Sequence, residues 1–345
     1  METVSRAALA VLLGLSALST HLSAAEPDTC EGVRFSDVGW TDITATTATA
    51  TVLLKALGYK PDTRVLSVPV TYASLKNKDI DVFLGNWMPT MEADIKPYRE
   101  DGSVETVVRN LEGAKYTLAT NAYGAERGIR NFTDISKFAS ELDGKIYGIE
   151  AGNDGNRLIQ GMIDANQFGL KDFTVVESSE QGMLAQVARA DRKQEPVVFL
   201  GWEPHPMNSH YQLTYLDGGD EVFGPDLGGA EIFTNTRAGF ATECPNVGRL
   251  LGNLVFSLKM ENEIMGAILD DEKEPEAAAT DWIKANPAVL ATWLKDVTTR
   301  DDQPGLEAVM ARLAIPALKT DTQEEPKKEG QPEDDSKAAA EQPAS

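Results

Sequence analysis

The tetrapeptide Val-Phe-Leu-Gly occurs twice, at 82–85 and 198–201, and each copy runs almost at once into a tryptophan, Trp87 and Trp202. An apolar run that ends in glycine reads as a buried strand handing its next residue to the rim of a sheet, where open α/β folds bind ligands. Phe35-Ser36-Asp37-Val38-Gly39 followed by Trp40 repeats the pattern, so three of the five tryptophans stand just past a strand-closing glycine. Indole is large and amphipathic, and three such placements point to several rings facing one ligand. For any single ring the alternative is core filling. Trp282 and Trp293 lie in amphipathic helical sequence, where packing is the default.

Strand and helix signals alternate along most of the chain. Strands are expected at 33–38, 65–70 and 81–84, with helices at 43–57 and about 72–77 between them, which is the βαβαβ grammar of a parallel sheet. A second series follows: helix 133–142, strand 145–149, a Gly-rich turn, helix 157–168, strand 173–177, helix 179–190 and strand 197–200. Strand-like stretches at 212–216 and 231–240 precede helices from about 246 to 313. Roughly 290 residues in this pattern exceed what one core usually holds, so two α/β lobes are expected. Lobe 1 is assigned 26–115 plus 212–315 and lobe 2 is assigned 116–211, joined by two crossover strands with a ligand cleft between them.

The two ends fall outside this scheme. Residues 1–25 read as an export signal: a short charged start, an apolar run over 7–18 and the small-residue site Ser23-Ala24-Ala25. No other stretch is long and apolar enough for a membrane helix. The expectation is therefore an exported, periplasmic, soluble chain, and Cys30 lacks the small apolar residues that precede a lipidated cysteine. Residues 316–345, rich in Glu, Asp, Lys, Pro and Gln, read as a disordered acidic tail.

Cys30 and Cys244 are the only cysteines. An even count in an exported chain favours one disulfide over two buried thiols, and so long a loop closure is worth on the order of 4 to 5 kcal/mol. Two cysteines and three histidines (His21, His205 and His210) show no zinc spacing, so no metal is expected. The formal net charge of −22 disfavours nucleic acid as a partner. It suits a cationic or neutral ligand better, although acidity also serves solubility.

Trp40, Trp87 and Trp202, with Tyr116 on the crossover segment 114–117, could surround a positive charge that donates no hydrogen bond. Aromatic faces answer a quaternary ammonium, each desolvated contact contributing about 2 kcal/mol or more. Asp42, two residues past Trp40 and at the start of a helix, reads either as an N-cap or as a carboxylate that offsets the cation and accepts from a ligand hydroxyl. The turn Gly152-Asn153-Asp154-Gly155-Asn156 lacks the Lys-Ser/Thr of a P-loop and the spacing of a dinucleotide fingerprint, so no cofactor is expected. Asn153 either presents its amide to the cleft or bonds its own backbone. Ser36, His205 and Asp220 make no convincing triad, and no nucleophile elbow is present.

Long segments carry a resemblance to a known family: 35–42 (Phe-Ser-Asp-Val-Gly-Trp-Thr-Asp), 82–89 (Val-Phe-Leu-Gly-Asn-Trp-Met-Pro), 152–156 and 198–206 (Val-Phe-Leu-Gly-Trp-Glu-Pro-His-Pro). They resemble the periplasmic substrate-binding proteins of ABC importers for quaternary ammonium compounds, over about 30–313. The resemblance implies a type II periplasmic binding fold and a four-walled aromatic box of Trp40, Trp87, Tyr116 and Trp202. It places Asp42 and Asn153 near the hydroxyl end of the ligand and pairs Cys30 with Cys244. The implied protein is a non-enzymatic, monomeric receptor that captures choline and presents it to a membrane permease. Glycine betaine or another trimethylammonium solute is the alternative ligand, and an exported choline-ester hydrolase the alternative class.

Overall fold

The computed structural model describes residues 26–316. The expected signal at 1–25 and all but the first residue of the expected tail lie outside the described residues.

Nine strands form one continuous, curled sheet: β1 (Gly32–Asp37), β2 (Lys60–Val65), β3 (Val82–Met88), β4 (Val104–Asn121), β5 (Lys145–Tyr147), β6 (Thr174–Val176), β7 (Val198–Glu203), β8 (Leu213–Tyr215) and β9 (Gly229–Arg237). Their order is β2-β1-β3-β9-β4-β7-β5-β6, with β8 on β4. The three strands β1, β2 and β3 are parallel, as are β5, β6 and β7. Between these two sets run β4 and β9, antiparallel to each other and to their outer neighbours. The long β4 pairs with β9 along its first part and with β7 along its last, so it leaves one α/β half and ends in the other. Two lobes joined by two crossover strands are thus the observed architecture.

Two departures from the sequence reading have physical causes. The strand expected at 65–70 is instead β2 at Lys60–Val65, followed by the helix Val68–Lys76. Pro69 stands in the first turn of that helix, where its fixed φ and missing N–H are tolerated. Except for Pro61, β2 is exposed throughout, so it carries no apolar alternation to detect. The return crossing is also later than position 212. Leu213 pairs with Asn121, the Phe132 N–H donates to the Asp217 carbonyl, and Phe223 packs on Phe132, so the chain stays with the second half until β9 begins at Gly229.

The doubled Val-Phe-Leu-Gly forms β3 and β7, buried almost throughout. A Cβ on Gly85 would lie 2.6 Å from Ile43 Cδ1, and one on Gly201 would lie 2.9 Å from Ala119 Cβ. Each glycine therefore lets a neighbouring side chain, Ile43 of the first helix or Ala119 of β4, press against the strand beside its tryptophan. Both repeats also end in a cis X-Pro bond, Met88-Pro89 and Glu203-Pro204. Cys30 and Cys244 form a disulfide that ties the segment before β1 to the start of the helix Pro245–Asn253. Trp293 is buried and donates its indole N–H to the Val255 carbonyl, and Trp282 stacks on it, so both serve packing, as their helical context suggested. Among the described residues no helix is long and apolar enough to cross a membrane.

Candidate functional site

Between the lobes lies a cavity of about 260 Å³ lined by Trp40, Asp42, Trp87, Tyr116, Ile149, Asp154 and Trp202. Its small size suits a small solute. The three indoles and the phenol are all nearly buried. Trp40 follows β1 and Trp87 lies on β3, both in the first lobe; Trp202 comes from β7 in the second, and Tyr116 from the crossover β4. The ring of Tyr116 stands between the other walls, 5.9 Å from Trp87 and 6.5 Å from Trp202 in edge-on arrangements. Electron-rich ring faces in an enclosed, water-poor cavity are suited to a cation that needs no hydrogen bonds.

Three of the four polar tips of this box are tethered. The Trp87 Nε1–H donates to Asp42 Oδ2 at 3.1 Å, and the Trp40 Nε1–H to Glu150 Oε2 at 2.9 Å. The Tyr116 hydroxyl bonds Asn153 Oδ1 at 2.8 Å. That same oxygen accepts from the N–H groups of Gly155 and Asn156, which makes Asn153 the N-cap of the helix Asp154–Asp164. Glu150 receives the Asn153 amide on its other oxygen, which closes the chain Trp40–Glu150–Asn153–Tyr116 across both lobes. Asn153 therefore stands behind the phenol and does not itself line the cavity, because its amide is spent on capping and tethering. A Cβ on Gly155 would fall 2.1 Å from the Tyr116 hydroxyl, so this turn is pressed against the ring.

Asp42 is not the N-cap of its helix, Thr41–Ala56; Trp40 holds that position, with no side-chain cap. In the first turn, Asp42 is buried and uses one oxygen for Trp87, while Oδ1 has no partner among the described residues. Burial, with the charge of Glu180 adding to it, pushes its pKa up to about 8. Asp154 was not singled out from sequence, although it lies inside a motif that was. Its carboxyl is buried and both oxygens are unpartnered; burial, with Asp94 adding, pushes it up to about 7. The nearby Thr90 hydroxyl opposes that rise, yet it is directed at the Trp87 carbonyl at 3.4 Å.

The lobes are also clasped beside the cavity. Glu180, in the first turn of the helix Glu180–Lys193, accepts the Thr41 N–H on Oε2 at 2.8 Å and the Thr41 hydroxyl on Oε1 at 2.5 Å. His205 Nε2 bonds Glu180 Oε1 at 3.2 Å, while the Met207 N–H donates to His205 Nδ1. An accepting Nδ1 leaves the proton on Nε2, so the imidazole donates to Glu180 in its neutral form. The same ring packs edge-on against Trp202 at 4.8 Å. Farther out, Arg157 forms a bidentate pair with Asp94 at 2.9 and 2.6 Å. No sequence signal marked Glu180, since an acid in the first turn of a helix reads as ordinary capping chemistry. Ser36 bonds Thr71 and His205 bonds Glu180, so these side chains assemble no triad.

Two α/β lobes that close on an enclosed site between them define a solute-binding protein. Residues 31–285 match the family described as the substrate binding domain of ABC-type glycine betaine transport system, and the chain belongs to that family of transport receptors, which are not enzymes. A solved ABC-transporter choline binding protein in complex with choline is 69% identical, covers 84% of this chain and 100% of its own, and superposes with a TM-score of 0.83. Lactococcal OpuAC in its closed-liganded conformation with glycine betaine is 25% identical over 76% of this chain and 99% of its own, with a TM-score of 0.70. An uncharacterized protein, ORF1, of Chromohalobacter salexigens is 49% identical over 158 residues, 46% of this chain and 100% of that one. The glycine betaine/carnitine transport binding protein GbuC of Listeria monocytogenes is 29% identical over 168 residues, 47% of this chain and 52% of that one.

Proposed function

We propose that this chain is a periplasmic receptor that captures choline between its lobes and delivers it to the permease of an ABC importer. The observation that carries the reading is a single small cavity where four aromatic side chains meet a buried carboxylate with one free oxygen. Trp40, Trp87, Tyr116 and Trp202 take the trimethylammonium group by cation–π attraction. Asp42 Oδ1, left open by the Trp87 tether, accepts from the ligand hydroxyl, and Asn153 supports that end by fixing Tyr116. The 69% identical neighbour was solved with choline, which supports this ligand over others of its class. The lobes divide within β4 and β9, so that each closes on the other about those two strands. The receptor acts as a monomer with no nucleic-acid partner, consistent with its net charge of −22.

Glycine betaine is the second reading, favoured by the family as a whole. It fits less well, because it brings no hydroxyl for Asp42 to accept from, and its carboxylate would oppose the ionisation of Asp42 and Asp154 that the trimethylammonium group favours. Titration of the indole fluorescence with choline, glycine betaine and acetylcholine tests both readings. Choline is expected to saturate at the lowest concentration. Binding of choline no tighter than that of an amino acid or a sugar refutes the proposal.

A further inference from the structure

The choline reading leaves Asp154 without a task. It lines the cavity, it is buried, and neither carboxylate oxygen has a hydrogen-bond partner among the described residues. Buried carboxylates ordinarily gather donors, and one with none costs free energy in either protonation state. The near cation, Arg157, is committed to Asp94 by two hydrogen bonds. Asp154 is held in place from both sides: Asn153 before it caps the helix and bonds Tyr116, and Gly155 after it abuts the Tyr116 hydroxyl. Asp154 opens that helix, and the dipole of the first helical turn favours a negative charge at this point.

A carboxylate whose oxygens accept no short hydrogen bond, with only the Thr90 hydroxyl nearby, fits one kind of partner well. A trimethylammonium group carries a positive charge and no N–H, so it offsets a negative charge through space and through weak C–H···O contacts, without needing the acceptor geometry that an ammonium requires. We propose that Asp154 is the counter-charge of the bound cation and thereby sets the preference for a charged over a neutral ligand of the same shape, whereas Asp42 reads the hydroxyl. This assignment rests on the trimethylammonium reading of the site. It divides the work by oxygen count: Asp42 has one unpartnered oxygen for one donor, and Asp154 has two, suited to a cation that donates none.

The test compares choline with its neutral carbon isostere, 3,3-dimethylbutan-1-ol, by calorimetric titration of the wild-type protein and of Asp154→Asn. The variant is expected to bind choline about 30-fold more weakly, a loss of about 2 kcal/mol, and to bind the isostere within about twofold of wild type. Equal losses for both ligands would mean a merely structural role and overturn the inference, as would an unchanged choline affinity. If wild type binds neither ligand, the receptor reading fails and takes this inference with it. If the variant does not fold, wild type and Asp42→Asn are titrated with choline at pH 7 in buffers of different ionisation enthalpy. Thr90, Asp94, Arg157, Tyr116 and Tyr72 surround Asp154, and of the two carboxyls on the cavity lining Asp42→Asn leaves only Asp154. Proton release that persists in Asp42→Asn and is absent with the isostere supports Asp154; no release in that variant refutes it.

Discussion

Replacing Glu180 by Gln is expected to weaken ligand binding although Glu180 does not line the cavity, the relief it gives Asp42 acting the other way. Two hydrogen bonds from Thr41, through its N–H and its hydroxyl, cross the lobe interface to this carboxylate, and a third comes from His205 on its own side. The His205 contact exists whether the lobes are open or closed, so it cancels from the closing equilibrium. Each crossing bond to a charged acceptor contributes about 1.5–3 kcal/mol net, and neutral versions are roughly half as strong. Glutamine can still offer its carbonyl to the Thr41 N–H, but its amide then faces the protonated Nε2 of His205, which cannot accept. The loss should therefore be about 1.5–3 kcal/mol of closed-state stability, and the apparent Kd for choline should rise roughly 10- to 150-fold.

Calorimetry gives that affinity, and stopped-flow indole fluorescence partitions it. Glu180 engages Thr41 only after the lobes meet, so the change belongs mainly in dissociation, with association altered severalfold at most. Thr41→Val, which removes only the hydroxyl bond, should show a smaller effect in the same direction. In a double-mutant cycle with Glu180→Gln the two should be non-additive, because they share one contact. A Kd for Glu180→Gln within threefold of wild type, or a change confined to association, would refute the view that this carboxylate clasps the lobes.

Three other outcomes follow from the same geometry. Asp42 and Asp154 have folded pKa values of about 8 and about 7, above the ordinary value near 4, so the ligand-free native state holds protons that the unfolded chain has released. Their contribution to stability is complete below about pH 4 and is lost as pH rises through 7 and 8. Differential scanning calorimetry should therefore show their share of the ligand-free melting temperature falling from pH 5 to pH 8, while choline affinity rises over the same span because a cation favours the ionised forms. Trp87→Ala removes one wall and the donor that occupies Asp42 Oδ2, and should weaken choline by at least 2 kcal/mol, about 30-fold, in the fluorescence titration. Cys30→Ser opens the disulfide to Cys244, which lies outside the cavity lining. It should lower stability to urea by about 2–5 kcal/mol while choline affinity stays within about threefold.

What the sequence disclosed and what it hid differ in kind. The walls were legible because each depends on a local device: a buried strand, a glycine that lets a neighbouring side chain press against it, and then a large ring. Gly85 and Gly201 show why the device needs glycine, since any side chain would strike Ile43 or Ala119. The strand β2 was misplaced because it is mostly solvent-exposed and so has no buried face to write into its pattern. The return crossing was misplaced because 213–228 has little local pattern of its own; its pairing partners Asn121 and Phe132 lie some 90 residues earlier. Glu150 and Glu180 were invisible for the same reason, since their work is done across the cleft on Trp40 and Thr41, and His205 acts only through Glu180. Asn153 and Asp154 are the instructive pair. The motif drew attention to the turn, but only the structure distinguishes the amide that is spent on capping from the carboxylate that is left open.

The open oxygens and the clasp oppose each other, and that opposition is how such a receptor can sense its ligand. In the ligand-free closed form three buried carboxylate oxygens, Asp42 Oδ1 and both of Asp154, lack partners. At about 1–3 kcal/mol for each unmet group, the penalty is of the same order as the gain from the two Thr41 bonds to Glu180 and the Trp40 bond to Glu150. The Arg157–Asp94 pair adds to the clasp, but the unmet oxygens offset much of it, so the lobes can part and admit solvent to those oxygens. A cation in the aromatic box removes the penalty without disturbing the clasp, and the full strength of the inter-lobe bonds then appears as ligand-dependent closure. By this account, a substitution that neutralises Asp154 should stabilise the closed form while weakening choline, a divergence that simple loss of packing cannot produce.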